Sequence, residues 1–369
     1  MTGQRPYPHH GAPAVFAGAA IESLRSNPQR QVEVGTDFAA APRKDEAMQK
    51  RIAVLGGVGL IGTHLCLKLI ERGDVVYCVD IRDKACSPLL RQVAQHPRFR
   101  YVRHNVTTPF GIRCDEIYNL AAPTCLQYSK SLPVETLKVC MLGAVNALDA
   151  AHTGHARVVY ASSGNVYGPV VSDPTLPAAE AGTSHRTLAD GKRAAEALHR
   201  AYDDEYGVDA RIARIFNTYG YGADLRDQRV VMKMVVEALL GKEVVVNGSG
   251  EQLQTFCWVE DLVEGLIRLM EAPTLGHLRT VNLGSSHEIA IRALAEKIVD
   301  MTGSHSPIVH TEARLDDVRR RTPDLTAARR DLGWMPHTPL AEGLRRTIDY
   351  AEMLLNEKRQ ANLSWAEML

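Results

Sequence analysis

Three glycines, Gly56, Gly59 and Gly62, and a carboxylate eighteen residues further on, Asp80, are spaced as a dinucleotide site requires. Gly56 can take a tight turn, Gly59 lets a backbone approach a pyrophosphate, and Gly62 lets a helix pack closely on the strand before it. Leu60 and Ile61 lie between them, at a helix start whose unpaired N–H groups attract phosphate. Asp80 can accept both ribose hydroxyls of NAD and would repel the 2′-phosphate of NADP, while Arg82 close by weakens that preference a little. The expected cofactor is NAD.

Such a loop needs a strand, a turn and a helix in that order. The apolar run Arg51 to Leu55 leads into the glycines, and a helical pattern carrying Leu65, Leu67, Leu69 and Ile70 follows. A second apolar run, Val75 to Val79, ends at Asp80. Phe99 to Val102, Glu116 to Ala121, Arg157 to Ala161 and Ala210 to Phe216 read as further strands. Helical stretches around Pro133 to Ala151 and Thr187 to Tyr206 separate them. This alternation predicts an α/β fold, a Rossmann-type doubly wound parallel sheet with helices on both faces. Beyond Gly220 the elements are shorter: a helix over Val230 to Leu240, a short strand over Val244 to Val246, and helices over Leu262 to Met270 and Ile291 to Met301. These suit a smaller, mixed substrate domain over the carboxyl edge of the sheet. The expected organisation is a flexible extension over 1–49, a cofactor domain over 50–219, a substrate region over 220–350 and a C-terminal helix over 351–369, within an amphipathic stretch from Asp349.

At 369 residues, 45% hydrophobic and 23% charged, the chain has the composition of a soluble globular protein. Lysine plus arginine balances aspartate plus glutamate, 43 against 43, so no global charge argues for nucleic acid or an anionic membrane. No apolar stretch approaches the ~20 residues that span a bilayer, and no secretory signal is evident, so a cytoplasmic location is expected. The seven cysteines are odd in number and show no C-x-x-C spacing, which favours buried thiols over a disulfide framework or a metal site.

The chain resembles the extended short-chain dehydrogenase/reductases that act on nucleotide sugars, and among them the UDP-glucuronate decarboxylases, over roughly residues 51–350. Gly56 to Gly62 matches their cofactor loop. Arg103-His104-Asn105-Val106-Thr107 resembles the segment that meets the adenine, and Tyr118-Asn119-Leu120-Ala121-Ala122-Pro123 the strand end beneath the nicotinamide. The resemblance therefore implies cofactor contacts at Asn105, Val106, Leu120, Ala121 and Ala122, and a substrate contact at Pro123. Ala213 to Gly220 resembles the segment carrying a sugar-nucleotide contact, here Asn217; Phe256 to Gly265 and Pro323 to Trp334 extend the likeness. It also implies substrate contacts at Arg229, Val230, Gln254 and Arg321, a nucleotide-sugar partner with UDP favoured and other nucleotides open, and a homodimer.

The chemistry that the resemblance implies is transient oxidation of a sugar hydroxyl by NAD, with the hydride usually returned. Ser163 matches the catalytic hydroxyl position, and Lys192 the lysine that contacts the cofactor ribose. The tyrosine expected one helical turn before Lys192, as base, is Leu188, which carries no proton. Asn165 replaces a glutamate that assists loss of carbon dioxide, Gln254 an arginine that meets the diphosphate, and Cys140 an asparagine of the proton relay. Tyr128, in the loop after the Glu116 strand, is the first candidate to replace the base or else positions substrate; His185 is the second, or a solvated loop residue. The reading is an NAD-dependent epimerase, dehydratase or decarboxylase with an unusual proton-transfer group. The alternatives are a catalytically silent NAD- and sugar-nucleotide-binding paralogue, an active UDP-glucuronate decarboxylase, and a simple reductase of a small ketone, which the sugar-nucleotide motifs disfavour.

Overall fold

The computed structural model describes residues 49–123, 131–168, 187–273, 280–313 and 320–360. Its centre is a parallel sheet of seven strands: β1 (Arg51–Leu55), β2 (Val75–Asp80), β3 (Phe99–Arg103), β4 (Glu116–Asn119), β5 (Arg157–Ser163), β6 (Ala210–Ile215) and β11 (Thr280–Leu283). They lie side by side in the order β11-β6-β5-β4-β1-β2-β3. All six pairings are parallel. The order reverses between β1 and β4, where Leu55 faces Asn119 across the ladder. A crevice opens at the carboxyl ends of the strands at such a point.

Strand β1 shows why the apolar runs are continuous rather than alternating. Ile52, Ala53, Val54 and Leu55 are all fully buried, because helices cover both faces of the sheet. The helices begin and end where local chemistry dictates. Helix α1 (Leu60–Arg72) stops at Gly73, whose φ of 102° lies in the left-handed region. Helix α2 (Pro133–Gly154) has proline in its first turn, where the missing N–H costs no intrahelical bond. Helix α3 (Thr187–Tyr206) packs beside α2 and against β5 and β6.

Two elements differ from the sequence reading. Strand β11 supplies the seventh position of the sheet from well beyond Gly220, and pairs residue for residue with β6 from Thr280↔Ile212 to Leu283↔Ile215. Its four residues, followed at once by Gly284, are too short for a periodicity signal. The last helix runs Leu340–Gln360, so it begins nine residues before Asp349. Its buried residues Leu344, Ile348, Ala351 and Leu355 pack with Val235, Leu294 and Ile298 in a core separate from that of the sheet. Cysteines 66, 78, 114, 140 and 257 are buried, whereas Cys86 is exposed. Among the described residues, no helix is long and apolar enough to cross a membrane.

The remaining strands are short ribbons beyond the sheet. The pair β7 (Thr218–Tyr219) and β10 (Cys257–Trp258) is parallel. Strand β9 (Leu253–Thr255) runs between β12 (Glu288–Ala290), antiparallel, and β14 (Arg320–Arg321), parallel. A further parallel pair joins β8 (Val244–Asn247) to β13 (Ile308–Thr311).

Candidate active site

The glycine loop leaves β1 and turns under the end of β2, with the N–H groups of Gly56 and Gly57 both donating to the Val79 carbonyl at 2.8 and 3.2 Å. Gly56 has φ +81°, and a Cβ there would lie 2.9 Å from the Ala121 nitrogen. A Cβ on Gly62 would lie 2.3 Å from the Gly56 carbonyl oxygen, so helix α1 reaches its closest approach to the loop only because position 62 has no side chain. Gly59 is different: a Cβ would meet only the Gly56 oxygen at 3.2 Å and the Arg82 guanidinium at 3.9 Å. It is also the N-cap of α1 and offers no side-chain cap, which leaves the first-turn N–H groups facing outward for an anion.

Asp80 closes β2 beside this loop and is buried. One carboxylate oxygen accepts the Val58 N–H at 3.0 Å and the other the Arg82 N–H at 2.9 Å. Arg82 Nε stands 3.7 Å from the same carboxylate. Each oxygen keeps acceptor capacity for a ribose hydroxyl. Across the crevice the Leu120 N–H donates to the Leu55 carbonyl, and Leu120, Ala121, Ala122 and Pro123 run half-buried off the end of β4. Asn105 uses its amide oxygen to cap the N–H of Thr107, while Val106 is buried against Gly143 and accepts from Asn146 through its carbonyl. A cradle that side chains would fill, an uncapped helix start and a carboxylate at the end of β2 fit NAD. The residues that would hold it are those of the loop from Gly56 to Gly62, together with Asp80.

The residues that the resemblance assigns to the reaction lie at and around the end of β5. The Ser163 hydroxyl accepts the N–H of Asn165 at 3.2 Å, whereas Ser162 is buried and donates to Glu196 Oε1 at 2.6 Å. Lys192, on α3, is 4% exposed. Its Nζ donates to the Ala161 carbonyl at 2.5 Å and lies 4.7 Å above the Tyr160 ring. Leu188 is one turn earlier on the same helix and half-buried. Burial holds the Lys192 ammonium below its ordinary value, against smaller upward pulls from Cys140 and Glu196. Cys140 comes from α2, where a Cβ on Gly191 would lie 2.9 Å from its Cβ, and burial pushes its thiol up. On the Tyr160 ring His199 stacks at 4.4 Å; burial lowers its imidazole to about 4.

Sequence reasoning missed a group that orders this side. Glu196 is gripped by Arg214 from β6 through two bonds of 2.9 and 2.7 Å, and Arg214 in turn lies 4.7 Å over the Tyr167 ring. Bonds from Arg214 and Ser162 outweigh burial and hold the Glu196 carboxyl below the usual range. The available signal was spacing, since Glu196 follows Lys192 by one helical turn.

The substrate candidates come from distant parts of the chain, and four of them meet. Asn217 donates to the Gln254 side-chain oxygen at 3.1 Å and to the Thr255 carbonyl at 3.2 Å. Gln254 pairs with Arg321 in the β9–β14 register, and the Arg321 guanidinium donates to the Asn165 side-chain oxygen. Arg229 lies apart from this cluster in its described bonds: it stands at the N-cap position of the helix Val230–Leu239 with no side-chain cap bond, and is held by Asp227 through Nε bonds of 3.0 and 2.8 Å. Tyr128 and His185 lie outside the described residues.

Comparison with known proteins agrees with this geometry. The model of the NAD dependent epimerase/dehydratase family matches residues 52–284. A UDP-glucuronic acid decarboxylase of Arabidopsis thaliana is 38% identical over 300 residues, which is 80% of this chain and 87% of its own. One from Xenopus tropicalis is 38% identical over 325 residues, 86% of this chain and 75% of its own. The solved structure of a UDP-glucose 4-epimerase from Thermotoga maritima with UDP-glucose is similar at a TM-score of 0.73 and 25% identity, covering 83% of this chain and 99% of that one. With the glycine cradle, the switch point and Asp80 in place, the chain belongs to the NAD dependent epimerase/dehydratase family.

Proposed function

We propose that this protein modifies a nucleotide-linked sugar, a UDP-sugar first among them, through transient oxidation, with a proton-transfer group other than the family's tyrosine. The meeting of Asn165, Asn217, Gln254 and Arg321 carries this reading. Amides and a guanidinium in one cluster match a ligand rich in hydroxyls and phosphate or carboxylate oxygens. The chemistry that NAD supplies when bound is acceptance of a hydride from a sugar carbon and its return. The chain's own residues hold the glycosyl group against that position, and Asn165 gives Arg321 a neutral partner where the resemblance implies a glutamate. That exchange argues against ordinary UDP-glucuronate decarboxylation.

The test is a panel of nucleotide sugars, UDP-glucuronate included, incubated with NAD-loaded protein while product and reduced-nicotinamide absorbance are followed. Turnover of one sugar is expected. Binding of several without any turnover would replace this reading by the second one, a silent binding protein, which the apolar Leu188 favours.

A homodimer accompanies the reading. Val134, Met141 and Leu142 recur on one side of α2, and they are exposed together with Tyr206 of α3. Light scattering that gave only monomer at micromolar concentration would remove it.

A further inference from the structure

Three strand residues toward the carboxyl end of the sheet lie in one row. Ser162 on β5 pairs in register with Arg214 on β6, and Arg214 pairs with Asn282 on β11. Register partners on parallel strands point to the same face, so the three side chains form a polar line across three strands. Ser162 and Arg214 both bond Glu196. Arg214 also lies 4.7 Å from the centre of the Tyr167 ring, and the Tyr167 hydroxyl donates to the Asn282 side-chain oxygen at 2.8 Å. The Asn282 amide nitrogen donates in turn to the Asp324 carbonyl at 3.0 Å.

These last two bonds join the two segments that make the contact between Asn165 and Arg321. Asn165 and Tyr167 belong to one short turn, Gly164–Tyr167, closed by the Gly168 N–H on the Asn165 carbonyl at 3.0 Å. Asp324 follows Arg321 in the same segment, just beyond Pro323. Packing brings that segment to β11 as well: a Cβ on Gly284, directly after the strand, would lie 2.8 Å from the Phe216 side chain and 3.2 Å from that of Pro323. Only one orientation of the Asn282 amide serves both partners, because a main-chain carbonyl needs a donor and the oxygen is then left for the tyrosine hydroxyl. Tyr167 is 53% exposed, and water competes for a bond made there, so the bridge adds little to global stability. What it sets is the placement of two residues 156 positions apart in the chain.

We propose that Asn282 is a positioning residue of the sugar site, which sets Arg321 against Asn165 and thereby fixes the fit of the glycosyl group. The inference rests on the function proposed above. It also gives the seventh strand a purpose: β11 comes from far along the chain and carries Asn282 to the place where the two segments meet.

The test compares Asn282→Leu, which keeps the size of the side chain and removes both bonds, with Tyr167→Phe, which removes one and leaves the sheet untouched. Calorimetry of the NAD-loaded protein with UDP-glucose should show binding weaker by about tenfold in Asn282→Leu and about threefold in Tyr167→Phe, with NAD affinity within about twofold of wild type in both. In an Arg321→Ala background Asn282→Leu should cost less than about twofold, since the group that it aims is gone. Undiminished UDP-glucose affinity in the single variant overturns the proposal, and so does the full tenfold loss in the Arg321→Ala background, which would mark a merely structural role. If Asn282→Leu does not fold, Tyr167→Phe carries the same comparison with its threefold loss. A crystal structure of either variant, NAD-loaded and free of sugar, reads the geometry without substrate. Release of Arg321 from Asn165 is expected there, and an unchanged bond between them overturns the proposal. Wild type that does not bind UDP-glucose counts against the functional reading instead, and the sugar-free structures still decide the role of Asn282.

Discussion

The glycine loop and the pocket around Lys192 lie at the same edge of one sheet, yet they tolerate change very differently. In the loop the constraints come from main-chain atoms: Gly62 is blocked by the Gly56 carbonyl, and Gly56 by the Ala121 nitrogen. No larger residue meets such a demand, and the sequence there keeps the family pattern. Around Lys192 the constraints are met by side chains that can be exchanged. Asn165 still reaches Arg321, Gln254 still reaches Asn217, and Cys140 packs under Gly191. The loop expected to hold the cofactor is therefore fixed by its backbone, whereas the cluster proposed to meet the sugar is built of replaceable side chains.

The largest expected effect sharpens the contrast from the reaction side, where a neutral imidazole is buried. Burial lowers His199 to about 4 from an ordinary value of 6.5. The folded protein then excludes a proton that the unfolded chain accepts. Its contribution is fully present above about pH 6.5 and is lost as pH falls toward 4, amounting to about 3 kcal/mol. Urea unfolding at pH 7 and 4.5 measures it, and His199→Phe should flatten that difference. An unchanged difference in the variant would move the acid sensitivity elsewhere.

Next comes Gly62→Ala. Its added methyl is forced against the Gly56 oxygen, and a cost of about 2 kcal/mol, or roughly thirtyfold in NAD affinity, is expected by calorimetry. Affinity within threefold of wild type would break the claim that the loop is fixed by its backbone. Asp80→Ala should weaken NAD by about 1.4 kcal/mol, roughly tenfold, and erase preference over NADP. The smallest effect is the most telling for the contrast: Asn165→Glu should leave NAD affinity within about twofold while changing turnover or sugar preference. A tenfold change in NAD affinity would join the two regions energetically.

The legible and illegible parts divide along similar lines. The order of strand, glycines, helix, strand and acid was readable because each step has a local cause, and β1, β2, β5 and α3 begin at the expected residues. Strand β11 was not, since TVNL has no length to show a period and its place beside β6 is a tertiary fact. The meeting of Asn217, Gln254 and Arg321 followed from resemblance, but the bond from Arg321 to Asn165 depends on how β14 lies against β9. Glu196 was passed over because it lies on helix α3 while its partners, Ser162 and Arg214, sit on strands β5 and β6.

Asp80 accepts the Val58 N–H, so the residue expected to recognise the ribose also holds the loop expected to receive the phosphates. A side chain that fixes such a loop lowers the ordering cost of binding there. Redesign of cofactor choice at position 80 would therefore act twice, once on the ribose edge and once on the stiffness of the loop. Asparagine, which keeps an acceptor for Val58, separates the two contributions; glycine or alanine cannot.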